Sequence, residues 1–307
     1  MVELIKLDEY PTKNVLSLLL KDKSTKKNIL FATDAYGVPP KTQITEEMLL
    51  GFDSCLLQPR VSKSQEEQTD RTRKKAEVFT PSWICNKMNN HCDHEWFGRE
   101  NVFNVEHDQT WEPTESPVGF EKSGDWKKYV DSKRLEITCG EAPYIVSRYD
   151  TTTGEIIPVK RRIGILDRKL RVVSENADSE ETWLIWALRA FQSVYGYEFQ
   201  GDNLLIARVN LLVTYMDYMR YHLHRDPTDE ELKKIANVIV WNLWQMDGIT
   251  GTVPFGKPQE QYHQFNLFDF SVGINDAEEE AVDCKIMDWR ADRSVTYRSI
   301  KEGRQTE

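Results

Sequence analysis

The residues best suited to chemistry fall in four short segments, three of which end in a group that can hold a ligand. Leu135-Glu136-Ile137-Thr138 reads as a strand that breaks at Cys139-Gly140. A glycine at a strand end lets a ligand approach the main chain closely, with the following amides facing it. Tyr195-Gly196-Tyr197-Glu198 reads as a second strand ending in a carboxylate. An acid at the end of the second strand of such a unit accepts hydrogen bonds from ribose hydroxyls. Asn242-Leu243-Trp244-Gln245-Met246-Asp247-Gly248 ends in another acid, able to accept from an exocyclic amine. Ahead of them lies Val78-Phe79-Thr80-Pro81, whose proline suits the first turn of a helix.

Positioning these groups at one edge requires alternating strands and helices. The spacing predicts helices over residues 11–22, 180–194 and 203–219, and Thr45 caps another. Thr228 with Glu231 forms a capping-box pattern. Short strands are expected at 28–32, 135–138 and 163–166, and a C-terminal hairpin from Lys285–Trp289 and Val295–Ser299. Residues 238–244 fit a helix end or a strand. Residues 58–76 are polar and without apolar periodicity, which reads as a linker or mobile loop, and residues 98–126 are loop-rich. The expected fold class is therefore α/β, a doubly wound sheet with helices on both faces. Residues 1–70 form an N-terminal extension and linker, 71–260 the cofactor domain, and 261–307 a C-terminal hairpin and tail.

The four segments, in this order, resemble the adenine-N6-specific DNA methyltransferases of restriction–modification systems, in particular their subunit M proteins. The resemblance runs from about residue 71 to about residue 255. Phe79-Thr80-Pro81 matches the family's Phe-Thr-Pro segment. Tyr195 to Asn210 matches its Tyr-Gly-x-Glu strand and the following Ala-Arg-x-Asn-Leu helix, and Asp247-Gly248 its next strand end. Glu136 to Tyr144 matches the family's glycine loop in part. Cys139-Gly140 are kept, Glu136 stands for Asp, and Glu141-Ala142 stand for Ser-Gly.

The resemblance implies a Rossmann-like methyltransferase fold and S-adenosylmethionine as cofactor. Thr80 and Pro81 would line its methionine end. Thr138, Cys139 and Gly140 would pass beneath it, Glu198 would hold the ribose and Asp247 the adenine amine. Glu141 would bring an unfavourable charge near the cofactor's carboxylate. The family's Asn/Asp-Pro-Pro-Tyr/Phe motif, which clamps a flipped base, has no counterpart after Asp247. Val253-Pro254-Phe255 is the nearest segment, and Val38-Pro39-Pro40-Lys41 lies on the wrong side of the chain.

Charge and cysteine usage bound the rest. The net charge is −10, so binding to DNA must use local basic patches. Arg71, Arg73, Lys74 and Lys75 form one candidate; Lys160–Arg162 and Arg168–Arg171 are two more. Five scattered cysteines suggest a reduced, cytoplasmic protein, and no run reaches the roughly 18 apolar residues of a membrane span. Cys85, His91, Cys92 and His94 fit no zinc-site spacing. His222 and His224 read as solvated, and the helix around Trp183 as core. The expectations are a methyltransferase-like protein acting on DNA adenine in restriction–modification or phage defence. The alternatives are a catalytically inactive DNA-binding or complex-forming relative, or a methyltransferase acting on a small molecule or protein. A protein partner would supply target recognition in the first two.

Overall fold

A computed structural model describes residues 4–51, 57–75, 79–256 and 281–303, without the side chains of Lys74 and Lys75. In chain order its elements begin with α1 (Thr12–Leu19), α2 (Glu46–Leu50), α3 (Gln65–Lys75) and α4 (Ser82–Phe97). Next come β1 (Asn104–His107), β2 (Thr110–Pro113), α5 (Asp125–Asp131), β3 (Arg134–Ile137), α6 (Ile165–Asn176) and α7 (Glu180–Gln192). They are followed by β4 (Val194–Glu198), α8 (Gly201–His222), α9 (Asp229–Asn242) and β5 (Leu243–Gln245). The C-terminal part carries β6 (Lys285–Asp288), β7 (Arg293–Thr296) and α10 (Tyr297–Lys301).

Among the described residues the central sheet has three parallel strands in the order β3-β4-β5. Each connection runs through two helices, α6 and α7 and then α8 and α9, as parallel pairing requires a long crossover. Ile137 pairs with Tyr197, and Glu198 with Gln245, so all three strands end together. Side chains of β4 alternate between two cores. Val194 joins the large core that α7, α8 and α9 build, while Tyr195 and Tyr197 join Trp244 and Met246 on the opposite face. That second face is covered by Cys284, Ile286, Trp289, Val295 and Tyr297 of the C-terminal hairpin and α10. The chain is thus α/β with a parallel sheet, and among the described residues the second face is covered by the C-terminal hairpin and α10 where a layer of helices was expected.

Several sequence expectations hold at the level of single bonds. Thr45 accepts from the Met48 amide at 3.3 Å. Thr228 and Glu231 form the reciprocal box, at 2.8 and 3.3 Å. Trp183 is fully buried. Others are corrected. Residues 163–166 are not a strand: Gly164 opens α6, its amide donating to Asp167 at 3.1 Å. Leu166, Leu170 and Val173 are then the buried face of that helix. Residues 28–32 make only isolated bridges, Asn28 with Lys21 and Leu30 with Gln43. The 98–126 loop contains the β1–β2 hairpin. The 58–76 linker is largely α3, so the domain boundary at residue 70 falls inside a helix. The N-terminal extension packs on the body, α1 against α8 and α9, within the same core. The boundary at 260 lies outside the described residues.

Candidate functional site

The ends of β3, β4 and β5 bring the predicted groups together. Beyond β3 the chain stays beside β4 for two residues, the Cys139 amide donating to Tyr197 O at 2.8 Å. It then turns at Gly140, where φ is +53°, and at Ala142, where φ is +64°. This left-handed turn points the Gly140 amide at Glu198, which accepts through Oε2 at 2.9 Å. Oε1 of Glu198 accepts from the Gln200 amide at 3.1 Å. Two backbone amides therefore fix the plane of a carboxylate that is only 6% exposed, although it ends a strand. A buried carboxylate held this way is a positioned acceptor.

Phe79-Thr80-Pro81 meets the same loop. A Cβ added to Gly140 would sit 3.7 Å from the Phe79 ring, so the ring lies directly against the turn. Pro81 precedes α4, and the Ser82 amide donates to Asp150 Oδ2 at 2.7 Å. Asp150 also accepts from the Thr152 and Thr153 amides at 2.8 and 2.9 Å. Burial alone would push the Asp150 carboxyl up, but the bonds from Thr152 and Ser82 together hold it at about 2. Thr80 O accepts from Thr151 Oγ1 at 3.1 Å. The loop from Gly140 to Thr151 thus ties the helix start to the strand ends.

Asp247 follows β5, one residue after Met246, whose amide donates to Glu198 O at 3.0 Å. Its Oδ1 accepts from the Ile249 and Thr250 amides at 2.8 and 3.3 Å, which holds a tight turn. Gly248 lets the turn pass close to Tyr197, whose hydroxyl would lie 2.9 Å from an added Cβ. The turn presents Ile249 at 90% exposure. Sequence reasoning missed Ile249; its only signal was an apolar residue in a glycine-rich turn.

Not every predicted contact survives. The Cys139 side chain faces the core beside Gly196, so only its main chain faces the edge. Burial first, then Glu136 and Glu198, push that thiol well up. Thr138 is exposed. Glu141 is turned inward, accepting from Arg60 N at 2.7 Å and the Tyr149 hydroxyl at 2.7 Å. It is 1% exposed, so its charge is engaged inside the protein. Glu136 is also buried and accepts from the Ile145 amide at 3.2 Å. Burial pushes its carboxyl well above the usual range, and Glu198 adds to the shift.

The basic runs need correction. Arg71 is 5% exposed and its guanidinium meets Asp202 at 2.8 Å and Gln200 at 3.0 Å. Its charge is committed inside the fold and is not offered to a phosphate. Arg168 is buried on Asp93 and Asn86, and Lys169 on Ser132 O and Ser193. Arg162 meets Asp217 at 2.6 Å. Arg73 is exposed, while the side chains of Lys74 and Lys75 lie outside the described residues, as does Val78. No group of three or more metal-ligating side chains occurs among the described residues. Among them, too, no helix is long and apolar enough to cross a membrane. In comparison with known proteins, no family model, no curated sequence and no solved structure matches this chain.

Proposed function

We propose that the carboxyl edge of the parallel sheet binds S-adenosylmethionine, and that the chain is a methyltransferase-like protein of the DNA adenine-N6 type. The observation that carries this reading is the bond from Gly140 to Glu198, which joins two of the four motifs 58 residues apart. The residues suit such a ligand. The turn at Gly140 has no side chain of its own, and the Phe79 ring packs against it. Glu198 is a fixed acceptor for a pair of ribose hydroxyls. Asp247 would accept from the adenine amine, and the exposed Ile249 would offer an apolar surface to the purine face. Thr80 and Pro81 would border the methionine end. S-adenosylmethionine, when bound, supplies an electrophilic methyl group. The chain's own part is to orient it and exclude water, which positioning makes worth several orders of magnitude in rate.

A second reading keeps the ligand site but not the transfer. It is favoured by the inward turn of Arg71, Arg162, Arg168 and Lys169, which leaves fewer cations for phosphates. It is favoured too by the segment Val253-Pro254-Phe255, which follows Asp247 without an amide or a second proline. In that case the protein serves as a complex-forming subunit, with a partner supplying recognition. Incubation of the protein with unmethylated DNA and methyl-labelled S-adenosylmethionine separates the two. The first reading requires label in adenine, lost in Asp247→Ala. No label across varied sequences, at high protein concentration, leaves the second.

A further inference from the structure

Segment 57–75 lies over the proposed ligand edge, and its attachment there is unusual. The helix α3 has 11 residues, Gln65–Lys75, and none is apolar. Burial of an apolar stripe normally holds a helix to its domain; a helix polar all round has no such hold. Of its side chains from Gln65 to Arg73, only that of Arg71 is buried. Arg71 meets Asp202 Oδ2 at 2.8 Å and Gln200 Oε1 at 3.0 Å. The Gln200 amide in turn bonds Glu198 Oε1 at 3.1 Å. At the other end of the segment, the Arg60 amide bonds Glu141 at 2.7 Å, and its guanidinium lies 5.2 Å over the Phe79 ring. The attachments therefore fall on both sides of Gly140 and Glu198.

We propose that α3 forms a detachable roof over the Gly140–Glu198 edge, latched by Arg71 on Asp202 and anchored on its N-terminal side by Leu57 and Val61 in the core, and that ligand enters when this latch opens. The near-complete burial of Glu198 at a strand end fits a covered site. Regions with few buried apolar contacts open at low free energy, independently of the core. Opening Arg71 does not strand its partner. Asp202 keeps its bonds from Tyr36 Oη at 3.0 Å and from the Asn203 amide at 2.9 Å when Arg71 leaves. The carboxylate thus retains donors in the open state. The identity of the ligand rests on the proposed function; the roof and its latch do not.

The test is hydrogen exchange on the full chain, in wild type, Arg71→Ala and Arg71→Lys, with rapid-mixing kinetics of S-adenosylmethionine. In Arg71→Ala, the α3 amides should exchange more than tenfold faster than in wild type, with those of α8 and β4 unchanged. Arg71→Lys should restore part of the protection. Association and dissociation of S-adenosylmethionine should both quicken in Arg71→Ala. Unchanged exchange in α3, or equal acceleration in α3, α8 and β4, would overturn the latch. Equal association rates in wild type and Arg71→Ala would overturn the gate. If wild type does not bind S-adenosylmethionine, the proposed function fails, and the exchange pattern alone decides the roof.

Discussion

The Gly140 amide donates to the Glu198 carboxylate at 2.9 Å, joining the turn after one strand to the end of its neighbour. This bond depends on the left-handed turn at residue 140 and on the parallel register of β3 with β4. Glu198→Gln keeps the shape but removes the charge, and places an NH2 group where one of two amides now donates. Hydrogen bonds to a buried charged acceptor contribute about 1.5–3 kcal/mol. The variant should lose about 1–2 kcal/mol in urea unfolding and bind S-adenosylmethionine at least tenfold more weakly. Unaltered stability would mean that the bond does not organise the edge.

Ile249 separates ligand contact from folding. It is 90% exposed, so Ile249→Ser should change stability by less than about 0.5 kcal/mol. Covering an apolar side chain contributes on the order of 1 kcal/mol or more to a ligand. Affinity for S-adenosylmethionine should therefore fall roughly five- to tenfold in equilibrium titration. Unchanged affinity would place the purine elsewhere.

Asp150 makes the start of α4 sensitive to acid. Its carboxyl is held at about 2, below the ordinary 3.8, so it contributes stability above pH 4 that is lost as pH falls toward 2. The group is partly solvated, and screening reduces the contribution to about 1 kcal/mol. Asp150→Asn should cost that much at pH 7, and the gap between variant and wild type should narrow only below about pH 4. A constant gap from pH 7 to pH 3 would show that hydrogen-bond geometry, not charge, is responsible.

Glu136 has the opposite sign. Burial, reinforced by Glu198, raises its carboxyl well above 4.5. The folded protein therefore binds a proton that the unfolded chain releases, and stability falls as pH rises above about 4.5 toward the folded value. Glu136→Gln should be more stable than wild type at pH 8, with the difference shrinking toward pH 5 in thermal unfolding. A variant less stable than wild type at pH 8 would show that Glu136 is ionised and needed.

The strand ends were legible because glycine and acid stand at fixed places after short apolar runs, at Cys139-Gly140, Glu198 and Asp247. Helices with an apolar stripe and a cap, such as that opened by Thr228, were legible for the same reason. Helix α3 was not, since without an apolar residue it has no periodicity to read. Residues 163–166 were misread because four apolar or small residues fit a strand as well as the first turn of α6. The fate of the basic runs was beyond sequence, because burial of Arg71 or Arg168 depends on Asp202 and Asp93, far away in the chain. The exposed Ile249 and the Asp150 cap likewise acquire meaning only when the strand ends are brought side by side.

The most direct test of the central claim is a calorimetric titration of S-adenosylmethionine into the purified protein, with Glu198→Ala alongside. The account predicts saturable binding at one site per chain, weakened at least tenfold by the substitution while the variant remains folded. No binding by the wild type, or equal binding by both proteins, would contradict it.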